Sequence, residues 1–116
     1  MSDTDEITEG PLPARIVAAT SPVAMLGKAR IRPGKVAEFE DLIRSILPKI
    51  RREDGCIHYT VNRSHDDDSA FVLYEEWESG AAILAHLQQP FMADYFGKVP
   101  GFMAPGAELP GWSSPL

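Results

Sequence analysis

The 116-residue sequence predicts an α+β fold of the ferredoxin-like, split βαβ kind, an antiparallel sheet with its helices on one face. Three observations predict it. Apolar residues alternate with others in the segments 23–32, 56–63 and 70–77, and recur every three or four residues in 36–50 and 80–99. The resulting order of strand, helix, strand, strand, helix, helix is that of a split βαβ unit. The third strand, "AFVLYEEW", starts apolar on both faces, although helices on one side of a sheet cover only one of them.

The elements follow in order. Residues 1–13 are acidic, with Gly10, Pro11 and Pro13, and the domain is expected to start at residue 22 after a mobile extension of residues 1–21. Within that extension "ARIVAAT" (14–20) is a candidate short edge strand. In "VAMLGKARIR" Val23, Met25, Gly27, Ala29 and Ile31 share a face, with Lys28 and Arg30 opposite. "RPGK" then opens a helix whose stripe is Val36, Phe39, Leu42, Ile43, Ile46, Leu47 and Ile50. Pro48 is expected to bend it, and "REDG" to close it with Gly55 at positive φ. "CIHYTVNR" (56–63) is the second strand, with Ile57, Tyr59 and Val61 on one face and Cys56, His58, Thr60 and Asn62 on the other. "SHDDDS" is a hairpin connection. After the third strand, Ser79 is an N-cap for "GAAILAHLQQ" and Pro90 starts "PFMADYFGKV". Residues 100–116, with Pro-Gly pairs, read as an irregular tail. A fourth strand there falls on "GAEL" (106–109) or "GWSS" (111–114).

The bulk properties exclude several classes. Net charge is −6 and the pI about 4.9; the one basic run, "KIRR", is followed at once by Glu53 and Asp54, so no nucleic-acid partner is expected. No apolar run approaches the roughly 20 residues that cross a bilayer, so no membrane partner is expected either. The lone Cys56 makes neither an internal disulfide nor a cysteine zinc site, which suits a reducing cytoplasm. "HDDD" (65–68) reads as a solvated turn, because consecutive turn residues diverge and preorganise no metal shell; no metal or other cofactor is expected.

On the third strand Phe71, Leu73, Glu75 and Trp77 share the face that needs a core, and Val72, Tyr74 and Glu76 share the other. An apolar patch on that second face favours a symmetric homodimer joined through the sheets; the alternative is a cover formed by the N-terminal segment or the Pro-rich tail. Glu75, entering a partly apolar interior, is a candidate proton shuttle, or else pairs with an arginine of the first long helix. Trp77 is a wall for an aromatic ligand or a core tryptophan. His86, one turn after Ile83, looks back at the sheet as a base, or packs beside Leu87. His58 and Asn62 belong to the polar half of an interface or to a second cavity wall.

Four stretches, "RIRPGKVAEFEDLI", "EDGCIHYTVNR", "FVLYEEWES" and "AAILAHLQQPF", together resemble the antibiotic biosynthesis monooxygenase family, in particular its small quinol-monooxygenase-like members, over residues 22–96. The E-x-W strand end followed by A-H-L carries most of the likeness. The resemblance implies a dimeric α+β barrel with a cavity between sheet and helices. It also implies oxidation of phenols or quinols by O2 without metal or flavin, although other relatives isomerise an autoinducer or degrade haem. Two positions depart from the family pattern: Phe91 follows Pro90 where relatives have histidine, and Leu73 stands where polyketide-oxidising relatives have asparagine. His86, Glu75 and Trp77 are then the catalytic candidates, and Tyr59, Leu73, Phe39, Phe91 and Tyr95 the candidates for contact with a small aromatic or quinone-like substrate. Phe39, Tyr95 and Phe96 also read as plain core. The function expected is a cofactor-independent monooxygenase acting on an electron-rich aromatic. An isomerase or tautomerase of a small oxygenated metabolite and a non-catalytic ligand-binding dimer are the alternatives.

Overall fold

The computed structural model describes residues 12–105 and 111–116. The elements are α1 (Ala14–Val17), β1 (Val23–Arg30), a 3₁₀ turn (Pro33–Lys35), α2 (Val36–Arg51), β2 (Cys56–Arg63), β3 (Ala70–Trp77), α3 (Gly80–Leu87), α4 (Pro90–Phe102) and β4 (Gly111–Ser113). The sheet order is β2-β3-β1-β4 and every described pairing is antiparallel. β1 and β2 are thus parallel strands split by β3, the predicted topology, and the sheet is open rather than a closed barrel.

Register puts Trp77 opposite Val23, Glu75 opposite Met25 and Tyr59, and Leu73 opposite Gly27 and Val61. These side chains lie under the helices. α2 supplies Phe39, Ile43, Ile46 and Ile50 from the predicted stripe, all buried. The core forms two clusters. One gathers Trp77, Ile83, Met92, Tyr59, Ile46 and Ile50; the other gathers Ile31, Phe39, Ile43 and Phe71. Fully burying a side chain of this size contributes roughly 1.5–3 kcal/mol, so the helix layer is held mainly by this face of the sheet.

Several local expectations are corrected. Residues 14–17 form a helical turn rather than an edge strand, and Leu12 and Ile16 are buried in the same cluster as Trp77. Packing therefore does not begin at residue 22: residues 12–20 lie across α3 as a strap. The described part of the N-terminal segment is on the helix side and does not cover the open sheet face. α4 runs through Pro100 to Phe102, so the tail starts later than its Pro-Gly pairs suggest. The fourth strand is "GWS", on the edge of β1; the "GAEL" alternative lies outside the described residues. A register shift between Cys56 and His58 breaks the strict alternation expected of β2. Cys56 turns to the helix side beside Trp77, and Ile57 is exposed.

The "HDDD" connection behaves as a turn. Asp67 accepts the Ser69 backbone N–H and hydroxyl at 2.9 and 2.7 Å and pairs with Arg30. Those bonds, the Ser69 backbone donor first, hold its carboxyl at about 2.

The strap is fixed by an absence of side chain. A Cβ on Gly80 would sit 1.7 Å from the Ile16 carbonyl oxygen, and the Gly80 N–H donates to the Ala19 carbonyl at 3.0 Å. Gly80→Ala is expected to cost at least about 2 kcal/mol, because the obstacle is backbone. Gly97→Ala, with nothing within 4 Å of the added methyl, is expected to be neutral or to gain up to about 1 kcal/mol as a helical substitution. Urea denaturation of the two variants checks both signs.

Candidate active site

The site is assembled where β3 runs out under α3. Strand periodicity brings Glu75 and Trp77 to the helix-facing side, and the Trp77 indole N–H donates to Glu75 Oε1 at 2.7 Å. Ser79 caps α3 by accepting the Ala82 N–H at 3.2 Å, which sets the rotation of a helix whose buried face is Gly80, Ile83 and His86. The His86 ring consequently lies on Trp77, with centroids 4.6 Å apart and planes at 33°. Tyr59 closes the group from β2, its ring 5.6 Å from His86 and 6.4 Å from Trp77. The Arg51 Nε donates to the Tyr59 carbonyl at 3.0 Å, tying that strand position to the end of α2.

A fourth polar residue belongs here, one that sequence reasoning treated only as part of a helix-ending turn. The Glu53 Oε2 lies 2.8 Å from His86 Nδ1, with side-chain exposures of 8% and 2%. The turn that carries Glu53 reaches α3 because Gly55 takes φ 85° and a Cβ there would stand 2.5 Å from the Ala82 Cβ. The signal in the sequence was a carboxylate in "REDG" two residues before the glycine that opens β2. Nothing local said that the turn would face α3.

Electrostatics follow from burial. Trp77, His86 and Glu75 are 0%, 1% and 4% exposed. Desolvation pushes the Glu75 carboxyl from 4.5 up to about 7, with the Trp77 bond opposing and the Glu53 charge adding to the rise. Desolvation also lowers His86, and the hydrogen bond and charge of Glu53 oppose that fall. A neutral imidazole against a carboxylate donates its Nδ1 proton and keeps Nε2 as the acceptor. Burial, and then the Glu75 charge, push the Tyr59 phenol well above its usual 10 and Tyr95 to about 12, so both remain neutral hydrogen-bond donors. Glu75 is paired with Trp77 and not with an arginine of the long helix. The arrangement thus holds a proton donor that titrates near neutrality and a neutral base against the same tryptophan, one on its indole N–H and the other on its ring. It is equipped to move a proton on a small aromatic or enolic ligand.

The other candidates divide. Leu73, Phe91 and Tyr95 pack around the Trp77 cluster, Phe91 with the Lys49 ammonium 5.6 Å from its ring centroid. Phe39 is buried in the second cluster, edge-on to Phe71 at 4.9 Å, and is not among the residues around His86. Phe39 and Phe71 border a half-open groove of about 120 Å³ between α2 and the β2–β3 ladder. Among the described residues no three His, Cys, Asp or Glu side chains form a metal-binding group, and no helix is long and apolar enough to cross a membrane.

A split βαβ sheet with a buried acid–base group under its helix layer defines a small ferredoxin-like α+β protein with an internal site. Residues 22–98 match the antibiotic biosynthesis monooxygenase family, and the chain belongs to it. An uncharacterised protein of Synechocystis is 30% identical over 94 residues, which cover 81% of this chain and 64% of that protein. The chain therefore spans under two thirds of that relative's length. The Escherichia coli protein named "Probable quinol monooxygenase YgiN" is 30% identical over 89 residues, covering 68% of this chain and 86% of its own. The solved structure of Rv0793 from Mycobacterium tuberculosis superposes with a TM-score of 0.76 at 27% identity, over 83% of this chain and 96% of that one.

The raised Glu75 has a thermodynamic signature. A carboxyl whose folded pKa lies above its unfolded value stabilises the fold below about 4.5 and loses that contribution as pH rises through about 7. The loss is on the order of 3 kcal/mol between those limits. The lowered His86 acts with the opposite sign, removing stability as pH falls below its ordinary 6.5. Comparison with Glu75→Gln, which keeps His86, isolates the first effect. The stability gap between variant and parent is expected to move in the variant's favour by about that amount from pH 4.5 to 7.5 in urea titrations. A gap independent of pH would contradict the raised carboxyl.

Proposed function

We propose that the protein is a cofactor-independent monooxygenase that oxidises an electron-rich aromatic, a quinol or phenol, with O2. The observation that carries this reading is the buried hydrogen bond from His86 Nδ1 to Glu53 with the ring on Trp77. It sets an imidazole whose Nδ1 is taken up by Glu53 against an aromatic wall, which leaves Nε2 as the basic nitrogen. Family membership and the name of the Escherichia coli relative support the same chemistry.

In this reading His86 takes the phenolic proton. The phenolate gives one electron to O2, and the substrate radical and superoxide combine to form a C–O bond. Protonation of the resulting peroxide by Glu75 sets up cleavage of the O–O bond, and loss of the ring hydrogen leaves a quinone carbonyl and water. Both oxygen atoms are accounted for and no external reductant is consumed. The protein's part is to bind, to remove and return protons at named atoms and to keep bulk water away from the intermediates.

A second reading keeps the same groups and drops the oxidant. A carboxyl near neutrality and a neutral imidazole set against one tryptophan also suit keto–enol tautomerisation of a small oxygenated metabolite. Oxygen uptake separates the two. With a panel of hydroquinones, turnover is expected to require O2. His86→Gln and Glu75→Gln are expected to lower kcat by about 10²–10⁴, and Glu53→Gln by a smaller factor together with a changed pH profile. Turnover that persists without oxygen would favour the tautomerase and end the oxygenase reading.

The same reading takes the working form to be a homodimer joined through the open sheet faces. On that face Leu26 is 56% exposed, and Val72 and Tyr74 are half-buried. Tyr74 donates to Glu76 at 3.0 Å, and its ring lies 6.3 Å from His58. A mostly apolar centre with a polar margin is the pattern of an interface between copies. Light scattering at micromolar concentration is expected to give twice the chain mass, and Leu26→Lys to give the monomer; a monomeric parent would reject the dimer.

A further inference from the structure

A site whose three central residues are at most 4% exposed poses a question of access, and the groove between α2 and the β2–β3 ladder supplies an answer. Its walls are apolar, Phe39, Ile43, Leu47, Val61 and Phe71, and its volume is about 120 Å³. A cavity of roughly 150 Å³ holds one benzene-sized ring. Its rim is basic. Arg44 and Arg63 both pair with the carboxylate of Glu40, Arg44 at 3.6 Å, so two guanidinium charges meet one carboxylate. One positive charge is left over at the mouth of a protein whose net charge is −6. Arg44 and Arg63 keep exposed side chains, while that of Glu40 is 18% exposed. The carboxylate is thus the fixed member, and the guanidinium ends are available to a ligand.

The groove is not the reaction centre. Phe71 and Trp77 are six residues apart on one strand, roughly 20 Å at strand spacing. It is, however, continuous with that centre through side chains: Leu47, Val61 and Tyr95 pack against both core clusters. Those three are the partition between the groove and the cluster that holds Trp77. Val61 faces Leu73 across the ladder, one strand position of the same face away from Glu75.

We propose that this groove is the entry and recognition site for the substrate, and that it selects a single-ring aromatic bearing a carboxylate, such as a hydroxylated benzoate. This rests on the oxygenase reading of the inner site for the word substrate, but not for the binding itself. The ring lies against the Phe39–Phe71 pair, and the carboxylate takes the charge that Glu40 leaves unmatched on Arg63 and Arg44. The partition at Leu47 and Val61 then admits it to the inner site.

Methyl NMR titration of the full chain tests the binding without turnover, with 4-hydroxybenzoate and hydroquinone as probes. Saturable shifts of the Ile43, Leu47 and Val61 methyls are expected, with 4-hydroxybenzoate bound about fivefold more tightly than hydroquinone, the size of one partly exposed ion pair. Arg44→Ala combined with Arg63→Ala is expected to abolish that preference while leaving the fold intact, since both side chains are at the surface and neither belongs to the core clusters. Val61→Trp is expected to fill the groove and to lose both binding and any quinol turnover. Absence of saturable shifts, an equal affinity for the two probes, or a preference that survives loss of both arginines would overturn the proposal. Turnover unchanged in a folded Val61→Trp would do the same. Groove binding in a protein that consumes no oxygen would end the oxygenase reading alone, and quinol oxidation with unmoved groove methyls would end the groove alone.

Discussion

Much of the molecule answers to one constraint, a carboxyl group placed on the covered face of the central strand. Glu75 sits where its neighbours on that face, Leu73 and Trp77, are core residues. A charge buried there without a cation is expensive, and the polar partner described for it is the Trp77 indole N–H. The strand resolves the conflict by keeping the group protonated close to neutrality. That resolution holds only while water is kept out. Tyr59 above, His86 and Ile83 from α3, and Met92 from α4 are therefore conditions for the raised carboxyl as well as for the fold.

The strap makes the same point from the other end of the chain. Residues 12–20 lie outside the span that matches the family, yet Leu12 and Ile16 complete the cluster around Trp77, and Ala19 takes the first N–H of the helix that carries His86. Gly80 is the residue that allows this, since its backbone and that of Ile16 approach too closely for any side chain. Gly55 does the equivalent on the far side by letting the turn of Glu53 settle on Ala82. Two glycines, each without functional atoms of its own, thus fix the position of the histidine and of its carboxylate partner.

What could be read from the sequence was what periodicity governs. The stripe of α2, the paired faces of β3 and the inward turn of His86 after Ile83 all follow from repeats of 3.6 and 2, and the strand–helix order then selects the sheet topology. What periodicity does not govern was missed. The register shift after Cys56 displaces one residue from an alternation that the sequence itself displays intact. "ARIVAAT" has the composition of a strand, but Ile16 finds a place in a core made by α3, and tertiary burial overrode local preference. Pro100 reads as a helix end in the sequence, but α4 continues two residues past it to Phe102. Glu53 was invisible because its role is a contact across 33 residues, decided by the reach of a glycine turn.

The division of the core into two clusters sets two environments on one face of the sheet, which the proposed reading assigns to recognition and to reaction. At the Trp77 end the polar groups are buried, and desolvation raises Glu75 and lowers His86; at the Phe71 end they stay in solvent as a guanidinium rim. A ligand held in the groove meets Arg44 and Arg63 where solvent still screens its charge, away from Glu75 and His86. Roughly 20 Å of strand between the clusters, with Leu47, Val61 and Tyr95 packed against both, sets the solvent-facing guanidinium rim apart from the buried His86–Glu53 pair.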